Sequence, residues 1–151
     1  MNTSLSRRAA LGLAVLVAAF PLATTMQSAV AQDVPLAIKG YDPVAYFVDG
    51  RPVRGLPEIE YEWDERRYRF SSAQHRDRFR ADPVRYAPQF ANFCAMSLAH
   101  GELVEADPES WLINADKLYI FGKREGPDLF RQNLARNIAE ANQNRPLIRG
   151  R

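Results

Sequence analysis

Glu58-Ile59-Glu60-Tyr61-Glu62-Trp63-Asp64-Glu65-Arg66-Arg67-Tyr68-Arg69-Phe70 is the stretch that decides the fold. Ile59, Tyr61 and Trp63 alternate with Glu58, Glu60 and Glu62, which is the period of a strand with one face buried. Asp64-Glu65-Arg66-Arg67 supplies a turn, and Tyr68-Arg69-Phe70 returns with the same alternation. The stretch therefore predicts a β-hairpin, although its turn lacks glycine.

Downstream, Ser72 is placed to cap a helix over Ala73–Ala81 that Asp82-Pro83 ends. At about 100° per residue, His75 and Phe79 fall on one face of it. Asp82-Pro83 also opens a short helical turn carrying Tyr86, stopped by Pro88. Phe90 to His100 reads as a compact helix ended by Gly101. Helical counting puts Phe90, Ala91, Cys94 and Leu98 on one face and Met96 with His100 on another. Trp111-Leu112-Ile113 and Leu118-Tyr119-Ile120-Phe121 flank Asn114-Ala115-Asp116-Lys117, a second hairpin. Gly126-Pro127 opens a last helix whose apolar face is Phe130, Leu134, Ile138 and Ala141.

Upstream, Gln32 to Ile38 reads as an extended leader. In Gly40-Tyr41-Asp42-Pro43-Val44-Ala45-Tyr46-Phe47, Asp42 is expected to cap a turn, and Val44, Tyr46 and Phe47 are strand or core types. The sequence shows no internal repeat. The prediction is an α+β fold: one small domain with two β-hairpins packed against about three short helices, preceded by a cleavable signal peptide.

That signal is read from residues 1–31. Arg7 and Arg8 precede an uncharged apolar run from Ala9 to Ala23, and Ala29-Val30-Ala31 presents small residues for cleavage. Ser6-Arg7-Arg8-Ala9-Ala10-Leu11 resembles a twin-arginine signal, apart from Ala10 in place of the usual phenylalanine. The domain then spans 32–151, in the periplasm, with no stable membrane insertion after cleavage. Without Arg7 and Arg8 the 20 basic residues fall to 18 and match the 18 acidic ones. This balance gives no basic patch and excludes nucleic acid as the expected partner.

The chain has 1 cysteine and 2 histidines. A single cysteine in an exported chain cannot form an internal disulfide. Cys94 is therefore a packed small hydrophobe, a soft-metal ligand, a reactive thiol or an intermolecular link. If His75 meets its sulfur, the pair offers a site for copper or zinc. Met96 and His100, four apart, are a lesser alternative. No nucleophile triad, phosphate loop or paired-cysteine motif is present, so the reading leans away from an enzyme and leaves thiol chemistry at Cys94 as the enzymatic alternative.

Gly40-Tyr41-Asp42-Pro43-Val44-Ala45-Tyr46-Phe47 resembles the opening motif of exported bacterial YHS-domain proteins. Tyr68 to Ala73, Phe79 to Pro83, Tyr86 to Gln89, Phe93-Cys94-Ala95 and Lys117-Leu118-Tyr119 are similar to that family in the same order. The resemblance implies a periplasmic YHS-like domain of no settled activity. The wider YHS group includes metal-associated modules with three cysteines, whose positions map onto Ala45, Ser71 and His75. All three thiols are absent here, and of these residues only His75 retains a ligating side chain. Three functions follow as expectations: soft-metal binding through Cys94 and His75, thiol redox chemistry at Cys94, or non-catalytic binding of a periplasmic protein with Cys94 as packing.

Overall fold

The computed structural model describes residues 34–149. The signal peptide, its twin-arginine motif and the boundary after Ala31 lie outside the described residues. The described residues form an α+β fold, with two antiparallel hairpins and six short helices. In order these are α1 (Ala45–Val48), β1 (Leu56–Trp63), β2 (Arg66–Phe70), α2 (Ala73–Ala81), α3 (Pro83–Tyr86), α4 (Ala95–Ala99), β3 (Asp107–Asn114), β4 (Lys117–Phe121), α5 (Gly126–Gln132) and α6 (Leu134–Gln143). Two 3-10 turns, Ala37–Gly40 and Arg145–Ile148, close the ends.

Both hairpins close through two residues with positive φ, Asp64 and Glu65 in the first and Ala115 and Asp116 in the second. That is the backbone of the tight turn whose twist matches the flanking strands, and aspartate tolerates it better than most residues. Arg66 and Arg67 thus belong to β2 and not to the turn. The predicted alternation holds on β1: Ile59, Tyr61 and Trp63 pack on the core, while Glu58 and Glu62 are exposed. Glu60 is half-buried because Arg69 Nε donates to it at 2.7 Å.

The α2 helix has its expected bounds, and the Ser72 hydroxyl accepts from His75 N at 3.1 Å as its cap. α3 likewise carries Tyr86, with Asp82 as its cap. Three further expectations are corrected. The cysteine helix starts at Ala95 and not at Phe90, because residues 90–94 give their backbone to another segment. Cys94 N donates to Val104 O and Ala106 N to Asn92 O, both at 2.8 Å, and Ala91 turns with φ 53°. The last helix breaks at Asn133, so Phe130 lies on α5 while Leu134, Ile138 and Ala141 lie on α6. The strand-like residues of the opening motif form the helical turn α1, with Tyr46 pinned by its hydroxyl to Pro108 O at 2.9 Å.

The structure also reveals a repeat. The order short helix, hairpin, two helices occurs twice. Pairs Leu56↔Phe70, Glu60↔Arg69, Tyr61↔Tyr68, Glu62↔Arg67 and Trp63↔Arg66 recur 51 positions later as Asp107↔Phe121, Trp111↔Ile120, Leu112↔Tyr119, Ile113↔Leu118 and Asn114↔Lys117, with the same irregularity after the first pair. A segment adds in parallel to each returning strand, Leu36 beside Arg67 and Pro88 beside Leu118. Asp42 N bonds Val53 O as Cys94 N bonds Val104 O, each at 2.8 Å. Each half also buries one helix phenylalanine against two strand aromatics. Phe79 packs on Tyr68 and Phe70 at ring distances of 4.6 and 5.3 Å, and Phe130 on Tyr119 and Phe121 at 5.7 and 5.2 Å.

Two apolar clusters result. β4 serves both: Leu118 and Ile120 enter the first, Tyr119 and Phe121 the second. A strand buried on both faces is apolar at successive positions, which Leu118 to Phe121 are.

Candidate functional site

The most polar place in the interior lies where the opening motif meets the end of β2 and the start of α2. Asp42 is fully buried. A buried carboxylate is costly unless its lone pairs are used, and here both oxygens are. Oδ1 accepts from Val44 N at 2.9 Å, closing the turn that the sequence predicts. Oδ2 accepts from Ser71 N at 2.8 Å and Ser71 Oγ at 2.6 Å, and meets His75 Nδ1 at 2.7 Å.

The chain brings these groups together through local structure. Asp42-Pro43 turns the backbone inward, Ser71 follows directly on β2, and His75 sits on the first turn of α2, capped by Ser72. Ser71 Oγ lies 3.3 Å from the same Nδ1. Because the carboxylate is acceptor-only, Nδ1 is the protonated nitrogen, and a neutral His75 keeps its lone pair on Nε2. No described residue bonds Nε2, and the side chain is 11% exposed, so its outer nitrogen reaches the surface of an otherwise closed network. This is not a hydrolytic triad. Ser71 shares the carboxylate side of the imidazole, whereas a nucleophilic serine needs Nε2 as its base.

Cys94 is elsewhere. It is 5% exposed and packs in the second cluster with Phe90, Leu98 and Phe121, while His75 belongs with Asp42 and Ser71. Its sulfur accepts from Ser97 N at 3.4 Å and so caps α4. No hydrogen bond among the described residues joins Cys94 to His75. Met96 is half-buried against the second cluster, and His100 is exposed at the C-terminal end of α4. Among the described residues, no group of three or more His, Cys, Asp or Glu is placed to hold a metal ion. Of the positions that map onto the wider YHS thiols, Ser71 and His75 are in contact and Ala45 is fully buried. A three-thiolate centre does not fit that donor set, whereas a single imidazole ligand oriented by a carboxylate does.

Sequence reading singles out His75 but misses its partners. The available signal was the mapping of Ser71 and His75 onto ligand positions four residues apart, whereas Asp42 lies 33 positions from His75 in the chain.

No family model, no curated protein and no solved structure matches this chain.

Proposed function

We propose that this chain is an exported YHS-like binding module that presents one imidazole nitrogen, His75 Nε2, to zinc or copper. The remaining ligands come from water or from a periplasmic partner protein. The observation that carries this reading is the bond from His75 Nδ1 to the buried carboxylate of Asp42 at 2.7 Å. Histidines that ligate metals characteristically donate their other ring N–H to a carboxylate, which fixes the tautomer and raises the basicity of the free nitrogen. Ser71 and Val44 hold that carboxylate in turn, so the imidazole is oriented before any ligand arrives. Cys94 has no part in this role, and its sulfur is a cap and a packing group.

Titration of the purified protein with zinc chloride, followed through the imidazole nitrogens by NMR, tests the proposal. A saturable shift at His75 Nε2 is expected, lost in His75→Ala and retained in Cys94→Ser. An unmoved His75 signal, or a metal stoichiometry that depends on Cys94, overturns it. The thiol redox reading requires a fast-alkylating Cys94, and alkylation only on unfolding is the result expected from its burial.

A further inference from the structure

A cavity whose lining does not include His75 stands apart from the reading above. It is a cleft of about 870 Å³ between the tip of the first hairpin, the segment after α3 and the C-terminal 3-10 turn. That volume falls within the range of small-molecule sites. Trp63, Pro88 and Ile148 give it flat apolar walls.

Tyr68 lines the same cleft, is only 2% exposed, and packs its ring against Phe79. Its hydroxyl bonds to no described residue. Burial of the ring raises its pKa far above the ordinary value, so the hydroxyl stays protonated, and its oxygen, which is not sealed from solvent, is a donor at the wall of the cleft. Among the described residues the charged lining is Arg66, Arg145 and Arg149 with Asp64 and Glu65, and Arg66 is already engaged in an interaction of its own. Arg145 is held in place, donating to Gln89 O at 2.8 Å and Asn142 Oδ1 at 2.9 Å with its guanidinium 4.9 Å over the Phe90 ring. Two of its five N–H donors are thereby used, and the others remain for a ligand.

A hydroxyl donor at the cleft wall, a fixed cation and an indole beside them suit an acceptor that is anionic and attached to a flat ring. We infer that this cleft binds a small aromatic carboxylate, with its carboxylate on Tyr68 and Arg145 and its ring against Trp63.

Sodium benzoate is the probe, titrated into the purified ¹⁵N-labelled protein while the Trp63 indole N–H signal is followed. Trp111, packed on Tyr46, is the internal reference. A saturable shift at Trp63 and none at Trp111 is expected. Tyr68→Phe keeps the ring and removes only the hydroxyl, and should weaken binding roughly three- to tenfold. Benzyl alcohol, which keeps the ring and lacks the charge, should bind about tenfold more weakly than benzoate. His75→Ala should leave the benzoate affinity unchanged, so failure here and failure of the metal reading are separable. No saturable shift at Trp63, equal affinity in Tyr68→Phe, or benzyl alcohol binding as well as benzoate overturns the inference.

Discussion

At one place in the repeated plan the first half has Asp42, Ser71 and His75. At the matching places the second half has Cys94, Gly122 and Gly126. The backbone correspondence is close: Asp42 Oδ1 accepts from Val44 N in the turn that leads into α1, and the Cys94 sulfur accepts from Ser97 N as the cap of α4. Gly122 sits after β4 as Ser71 sits after β2, and a β-carbon there would lie 3.7 Å from Cys94 Cβ. Gly126 lies where His75 lies, four residues before the buried helix phenylalanine. A β-carbon on Gly126 would stand 2.5 Å from Phe121 Cβ, so the start of α5 is pressed onto its strand and leaves no room for an imidazole. The plan of the fold therefore does not carry the chemistry. The first half holds a polar network that reaches the surface, and the second fills the same place with packing.

The comparison is broken most forcefully through the two phenylalanines. Both are fully buried among aromatics, so Phe79→Ala and Phe130→Ala should each cost roughly 3–5 kcal/mol in urea unfolding. A much smaller loss in one would show that the halves are not equivalent packing units. The polar network gives the next largest effect. Asp42→Ala leaves Ser71 and His75 donors without their acceptor and should cost roughly 2–3 kcal/mol. Its counterpart Cys94→Ala, which removes one packed sulfur, should cost about 1 kcal/mol. Equal losses would contradict the division between a polar and an apolar half.

The glycines sharpen the point further. Gly126→Ala should cost roughly 1–3 kcal/mol through its clash with Phe121. Gly122→Ala meets only ordinary contacts, the nearest at 3.4 Å, and should stay within about 1 kcal/mol. The smallest effect is on the pH profile. Burial raises the pKa of Tyr46 and of Tyr68, so folding favours their protonated forms. Their contribution is complete below the unfolded tyrosine value of about 10 and is lost as the pH rises above it, because the unfolded chain then releases protons that the folded chain retains. The urea midpoint should therefore fall above about pH 10, and Tyr68→Phe should flatten that fall.

Much of the first half is legible from local pattern. Ile59, Tyr61 and Trp63 announce their strand by alternation, and Ser72, Asp82 and Pro83 announce the helix bounds by capping chemistry. The same rules misread Phe90 to Phe93, whose residues suit a helix. Tertiary pairing of that backbone with Val104 to Ala106 outweighs the propensity, since buried N–H and C=O groups must find partners. The split at Asn133 escapes notice because Phe130, Leu134, Ile138 and Ala141 keep helical spacing across it.

The repeat is hidden for a related reason. Arg67 and Arg69 on β2 correspond to Leu118 and Ile120 on β4. The arginines pair with Glu60 on a half-exposed face, while the leucine and isoleucine enter the first cluster. These positions face different surroundings and differ in side chain, so the identities that remain at matching places, Tyr68 with Tyr119, Phe70 with Phe121 and Phe79 with Phe130, are too sparse to announce a repeat.

The sequence by itself determined the α+β class, both hairpins, the α2 and α3 helices and the choice of His75 and Cys94 as the residues to watch. Those properties follow from periodicity, capping and residue chemistry, which act over a few positions. Only the tertiary structure decided that His75 meets Asp42 and not Cys94. That contact joins residues 33 positions apart and depends on how the opening motif packs against β2 and α2.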